Sequence, residues 1–268
     1  MECLSKKIDE LRIFDEEIHA LIEKWMPLVL QDSTNHNIPN VWQASVMFIT
    51  RSNFLKEAIF ELSENEDIYS AGILFRSLIE HSVKFQYIFL RWAQEKNDTV
   101  GEEYYKFCDL AEDLSYIDSL KYAAKLIDQE SISKNPFDIL QEIKQEASKH
   151  SLKEIQKKAS QFNYRKILEY IVSKVPQNIV SNFIWKIIPE YSELSSLVHG
   201  GPFSERMLYK VFEEDKRIES LSRIASLAFL ISCDIKLNAF IIFLNMNRKF
   251  EQCYIEIRKI LNKYQEQT

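Results

Sequence analysis

Ser195-Ser196-Leu197-Val198-His199-Gly200-Gly201-Pro202 is the one sharp interruption in an otherwise helical text, and it holds two of the four glycines in 268 residues. Glycine just past an apolar periodic run, with proline behind it, is a helix stop: glycine takes the left-handed backbone without strain and proline cannot continue the helix. The scarcity of such signals elsewhere decides the fold class. A chain of average composition carries roughly 7% glycine, about 19 residues at this length, because hairpins, bulges and βα turns need positive φ. Four glycines and six prolines leave too little turn chemistry for a sheet-rich fold. The chain is therefore expected to be all-α, a single multi-helix bundle with 46% apolar residues to fill its core.

Working outward from the stop, Pro189 is expected to open a short helix over Glu190–Val198, with further short helices at Tyr164–Val175 and Ile179–Ile187 separated by Pro176. A last long helical region runs from about Lys216 to Tyr264. Its most apolar run, Ile224–Leu244, contains Asp234, Lys236 and Asn238, which marks a buried core helix rather than a membrane span. At the other end Leu4, Ile8, Leu11, Phe14, Ile18, Leu21, Ile22 and Trp25 repeat at three and four residues, an amphipathic helix that should end near Pro27. A polar loop, Gln31–Asn40, follows, then helices over Val41–Leu62, Glu66–Trp92 and Glu102–Ile127. From Asn135-Pro136 to Lys158 the text is poor in apolar residues and rich in Lys, Glu and Gln. The organisation expected is an N-terminal helix and loop over 1–40 and a bundle over 41–268, with a charged helical insertion at about 128–162.

The net charge of −6 gives no global basic field for nucleic acid, and the strip Arg248, Lys249, Arg258, Lys259 and Lys263 reads as a solvated helix face. Cys3, Cys108, Cys233 and Cys253 have no C-x-x-C spacing, and Cys233 reads as a small buried hydrophobe. Met1–Glu17 is charged throughout, so no signal segment is read there and a cytoplasmic protein without a membrane span is expected. Nothing points to a cofactor or metal. Only Glu16-x-x-His19 resembles a di-iron ligand pair, no Cys/His cluster suits zinc, and Gly72, Gly101 and Gly200-Gly201 match neither nucleotide fingerprint.

Two segments could carry chemistry. The first is Arg76-Ser77-Leu78-Ile79-Glu80-His81, on a helix apolar around nearly its whole circumference. Arg76, Glu80 and Lys84 fall on one stripe at four-residue spacing, with Ser77 and His81 on the next. They read either as a solvated seam with Glu80–Lys84 as an ordinary pair, or as a charged inner wall that must be satisfied or used. The second is Tyr191-Ser192-Glu193-Leu194-Ser195-Ser196-Leu197-Val198-His199-Gly200-Gly201, which delivers a histidine at a helix C-terminus, where the helix dipole favours the imidazolium. Either His199 caps the last carbonyls, or it belongs to a site with Tyr191, Ser195 and Ser196, where two glycines let a ligand come close.

Together these segments resemble a bacterial helical domain of unknown function related to HEPN-type proteins, with R-S-L-x-E on one long helix and S-x-x-V-H-G ending a later one. The resemblance spans roughly Val41 to Leu244 on about a dozen residues. It implies a helical bundle, commonly a homodimer, in a bacterial defence or toxin system with RNA or a partner protein as its target. Many such proteins are metal-independent ribonucleases with an R-x(4–6)-H motif, which Arg76 and His81 fit, although here Ser77 follows the arginine and the motif lies early. Under that reading His81 or His199 activates the 2′-hydroxyl, Arg76 stabilises the phosphorane charge and Glu80 orients a ring nitrogen, with Tyr191, Ser195, Ser196 and Lys84 on the substrate. The alternative is a non-catalytic helical interaction module in which the Arg/Glu/His cluster is a polar network that fixes helix register.

Overall fold

The computed structural model describes residues 2–34, 36–127, 134–174, 177–211 and 213–267. Among these there is no strand; the chain is an all-α bundle. Residues 128–133 at the start of the expected insertion, and Pro176, lie outside the described residues.

Three long helices form the centre: α2 (Pro39–Glu64), α3 (Ile68–Glu95) and α11 (Glu214–Met246). Their facing sides bury Phe48, Phe60, Phe75, Phe85, Trp92, Phe229, Phe240 and Phe243 completely. By length and composition α11 could cross a membrane, but 61% of its most apolar stretch is buried inside the bundle. Against α11 lie α1 (Glu2–Asp32) and α12 (Glu251–Gln267), and against the far side of α3 lie α8 (Tyr164–Lys174) and α9 (Gln177–His199). The centre also holds charge. Asp15 of α1 pairs with Lys56 of α2, while Lys236 of α11 stands 3.6 Å from the other oxygen of Asp15, its ammonium making no hydrogen bond among the described residues. Two lysines thus share one carboxylate in a place without solvent, and burial pulls Lys236 well below the usual lysine range.

Two of the prolines expected to bound helices, Pro27 and Pro189, lie inside them. α1 runs on through Pro27 to Asp32, because its last turn is held by packing: Val29 is fully buried and its carbonyl accepts from Trp42 Nε1 at 3.1 Å. Likewise α9 continues through Pro189 as one 23-residue helix. The helical region expected over Lys216–Tyr264 is two helices, because Asn247 ends α11 and its side chain accepts from the Lys249 amide to start a new turn.

The start of α2 is completed from afar. Pro39 occupies its first position, where no N–H is needed, and the next two amides, Asn40 and Val41, donate to the Asp98 carboxylate at 3.0 and 2.8 Å. Asp98 precedes α4 (Thr99–Glu103). There Gly101 lies so close to α2 that a Cβ would sit 2.4 Å from the Val41 nitrogen.

The helix expected over Glu102–Ile127 is not uniform: α4 passes through a π-turn, Tyr104–Cys108, into α5 (Asp109–Leu126). The polar residues after it form α6 (Pro136–Ile143), a 3₁₀ turn (Gln145–Lys149) and α7 (Leu152–Ser160). These wrap α5 around a small second core of Phe107, Leu110, Ile117, Leu140, Ala147 and Ile155. Glu103, accepting from Arg91 of α3 and Lys158 of α7, ties this unit to the main bundle.

Candidate functional site

α3 and α9 run antiparallel, so positions on the two helices pair in reverse order. Tyr69 donates to the Leu197 carbonyl at 3.4 Å, the Gly72 position faces Leu194 and Leu197, and Arg76 meets Tyr191. Gly72 lets Leu194 and Leu197 approach, since an added Cβ would be only 3.2 Å from the Leu194 side chain. The first half of the expected site assembles at the Arg76 level.

The Arg76 guanidinium donates to Glu80 Oε1 at 2.9 Å and to the Tyr191 hydroxyl at 3.0 Å, and that hydroxyl donates to the same Glu80 oxygen at 2.6 Å. The three groups close a triangle across the α3–α9 interface. Arg76 also stands 5.1 Å from the centre of the Tyr191 ring, within cation–π range. The same ring stacks on Tyr164 of α8, centroids 3.9 Å apart and planes at 18°. Burial raises both tyrosines above the usual phenol range, and the Glu80 charge adds to it at each. Two donors of this cluster, Arg76 Nε and the Tyr164 hydroxyl, are buried and meet no acceptor among the described residues. The cluster is nonetheless only partly closed, with the Arg76 and Glu80 side chains 20% and 32% exposed.

Tyr164 was not among the residues read from the sequence. Its only local signal is an aromatic opening a helix after Asn163, and nothing in that text says which helix it will stack on.

Neither histidine joins the triangle. His81 stands five residues after Arg76, about 140° round the helix, and faces α2. Its Nδ1–H donates to the Ser77 carbonyl at 2.8 Å and its ring meets Phe48 edge-on at 6.0 Å. Burial holds His81 below the ordinary imidazole range, and the charges of Lys84 and Arg51 push the same way. Lys84 does not complete the Arg76–Glu80 stripe. Four-residue steps drift about 40° each on a helix of 3.6 residues per turn, so Lys84 ends up nearer His81 than Arg76. Among the described residues Glu80 pairs with Arg76, not with Lys84.

His199 is the last residue of α9, exposed to solvent, eight residues or about 12 Å along the axis from Tyr191. Ser195 is half-buried beside it, and Ser196 turns its hydroxyl back to the Ser192 carbonyl at 3.2 Å. Gly200 takes φ +62°, with open space around it. The chain does not stop here: Pro202 opens α10 (Pro202–Val211), whose first turn is held by Ser204 donating to the Gly201 carbonyl. The structure therefore brings Arg76, Glu80 and Tyr191 together, adds Tyr164, and leaves His81, Lys84, Ser195, Ser196 and His199 apart from them. Among the described residues no three His, Cys, Asp or Glu side chains are grouped to hold a metal ion.

Residues 44–218, well over half of the chain, match the family model described as a family of unknown function (DUF5677). This span contains the whole Arg76–Glu80–Tyr164–Tyr191 cluster. No curated protein and no solved structure matches the chain.

Proposed function

The chain belongs to that family of unknown function, and from this starting point we propose that it is a non-catalytic helical interaction module. In this reading Arg76, Glu80 and Tyr191 form a polar network that fixes how α3 packs on α9. What supports the reading is the closure of the triangle: guanidinium, carboxylate and hydroxyl bond one another across the interface, and neither His81 nor His199 joins them. An acid–base site for RNA cleavage needs its base within hydrogen-bond distance of the reacting hydroxyl, and the carboxylate beside Arg76, Glu80, is already engaged by Arg76 and the Tyr191 hydroxyl.

The surface assigned to interaction is the outward face of α5. Tyr116, Leu120, Leu126 and Ile127 stand there 65%, 46%, 67% and 66% exposed, an apolar face of a kind that soluble domains keep for partners. The partner proposed is a second copy, making a cytoplasmic homodimer. Light scattering after size exclusion tests this: a dimer is expected, and Leu120→Asp with Leu126→Asp should give a folded monomer. A wild-type chain that stays monomeric at every concentration overturns the assignment.

A second reading is a HEPN-like, RNA-directed effector or regulator of a bacterial defence or toxin system, acting as a metal-independent ribonuclease. The unpartnered Arg76 Nε and Tyr164 hydroxyl favour it, being two donors suited to phosphate oxygens. Incubation with RNA at pH 6 to 8.5 without divalent metal separates the readings: intact RNA supports the module, and cleavage that Arg76→Ala abolishes supports the effector.

A further inference from the structure

The π-turn sets two neighbouring tyrosines to different tasks. Tyr104 packs into the main bundle against Phe48 and Phe162, with ring centroids 5.8 and 5.5 Å away. Tyr105, half-buried and edge-on to Tyr104 at 5.2 Å, lines a cleft of about 490 Å³. That lies within the roughly 300–1,000 Å³ of small-molecule sites. The π-turn and the first turn of α5 form one wall and the start of the 3₁₀ turn the other, with Asn40 of α2 and Glu102 of α4 in the same lining. Two ion pairs join the walls, Lys106 with Glu146 at 3.0 Å and Lys144 with Asp109 at 2.5 Å. The Tyr105 ring and Leu110 give the cleft apolar surface between them.

The charges of the lining do not cancel. Glu102, Asp109 and Glu146 face Lys106 and Lys144. Behind them Asp113 also pairs with Lys144, and Lys149 with Glu146. Four carboxylates thus stand against three ammoniums, and every ammonium already has a carboxylate. The carboxylate left over is Glu102, which is exposed and in no ion pair among the described residues. Asn40 gives its side-chain nitrogen to Asp98 at 2.7 Å, so the polar atom it has left is an acceptor. The Tyr105 hydroxyl is buried and meets no partner among the described residues. Burial pushes that phenol up to about 12, so it adds no charge of its own. A buried hydroxyl left unmet destabilises the fold, and a ligand N–H at this wall gives it a partner. A spare carboxylate beside an aromatic ring and aliphatic surface suits a cation with a carbon body.

We propose that this cleft binds a small organic ammonium ion with an apolar body. Glu102 carries its charge, the Tyr105 ring and Leu110 cover its carbon atoms, and the Tyr105 hydroxyl and Asn40 oxygen accept from its N–H groups. The two ion pairs hold the walls apart at a fixed width and keep anions from the lysines. The site shares no residue with the Arg76 triangle and does not depend on the interaction-module reading.

The test uses the full chain with benzylamine, benzyl alcohol and benzoate, one carbon body carrying a positive, no and a negative charge. On the wild type, where no variant needs to fold, the Tyr105 ring resonances should move on addition of benzylamine. Benzyl alcohol should bind about tenfold more weakly, and benzoate should leave the resonances in place. Glu102→Gln, a change at an exposed and unpaired side chain, should weaken benzylamine about tenfold and remove its advantage over the alcohol. Tyr105→Phe should also weaken it, without lowering Tm, because the variant loses a hydroxyl that the free protein leaves unmet. Glu256→Gln on α12 should bind as wild type does. Tyr105 resonances unmoved by benzylamine at millimolar concentration overturn the proposal. So does benzoate or benzyl alcohol binding as tightly as the amine, or undiminished binding of the amine by Glu102→Gln.

Discussion

Tyr191→Phe removes one oxygen from the α3–α9 interface and nothing else, which makes it the most direct probe of the triangle. The ring stack on Tyr164 and the cation–π contact with Arg76 do not need the hydroxyl, and the Arg76–Glu80 pair at 2.9 Å stays within α3. What is lost is one hydrogen bond given to a carboxylate at 2.6 Å and one received from a guanidinium at 3.0 Å. Hydrogen bonds to charged groups contribute about 1.5–3 kcal/mol each when buried. Glu80 is 32% exposed, so water takes over part of both, and the expected loss is about 2 kcal/mol. For a chain of this size that lowers Tm by roughly 4 °C. The assay is guanidinium denaturation of wild type, Tyr191→Phe, Glu80→Gln and the double variant. Because both single changes break the same bond, the double should cost about 1 kcal/mol less than their sum. A Tyr191→Phe protein within 0.5 kcal/mol of wild type, with strictly additive effects, would refute the network.

Further outcomes follow from the buried charges and from the glycines. Lys236→Met should leave stability unchanged or raise it by about 1 kcal/mol in chemical denaturation, whereas Asp15→Asn should cost about 3–5 kcal/mol: the first relieves an excess buried cation, the second strands two. Gly101→Ala should cost more than about 3 kcal/mol or prevent folding, as judged by circular dichroism, since its Cβ meets backbone at 2.4 Å. Gly201→Ala, which meets nothing within 4 Å, should be close to neutral.

Fold class was legible because glycine scarcity and three-and-four spacing are properties of the whole text, and both pointed the same way. Helix ends at proline were not. Pro27 and Pro189 were read as boundaries from local backbone chemistry, but the buried Val29 and its bond from Trp42 show packing overriding the missing amide in α1. The candidate site was half legible. Arg76, Glu80 and Tyr191 stood out as polar groups on apolar helices, yet their meeting depends on the antiparallel register of two helices more than a hundred residues apart. Tyr164 had no signal of its own, because it gains its meaning from Tyr191, a neighbour supplied by another helix. The buried Asp15–Lys56–Lys236 set was equally silent: in the text these are ordinary charges on amphipathic helices.

The π-turn between Tyr104 and Cys108 acts as a phase shift. One residue beyond α-helical register rotates all that follows by about 100°. Before it, Val100, Gly101 and Glu103 are seated on the main bundle; after it, Leu110 and Ile117 seat α6 and α7, and Tyr116, Leu120 and Ile127 look outward. Deleting a single residue from the turn would keep the helix and re-aim the whole arm, swinging its outward face toward the bundle. The direction in which this protein presents α5 is thus written in one residue of register, far from the surface that it orients.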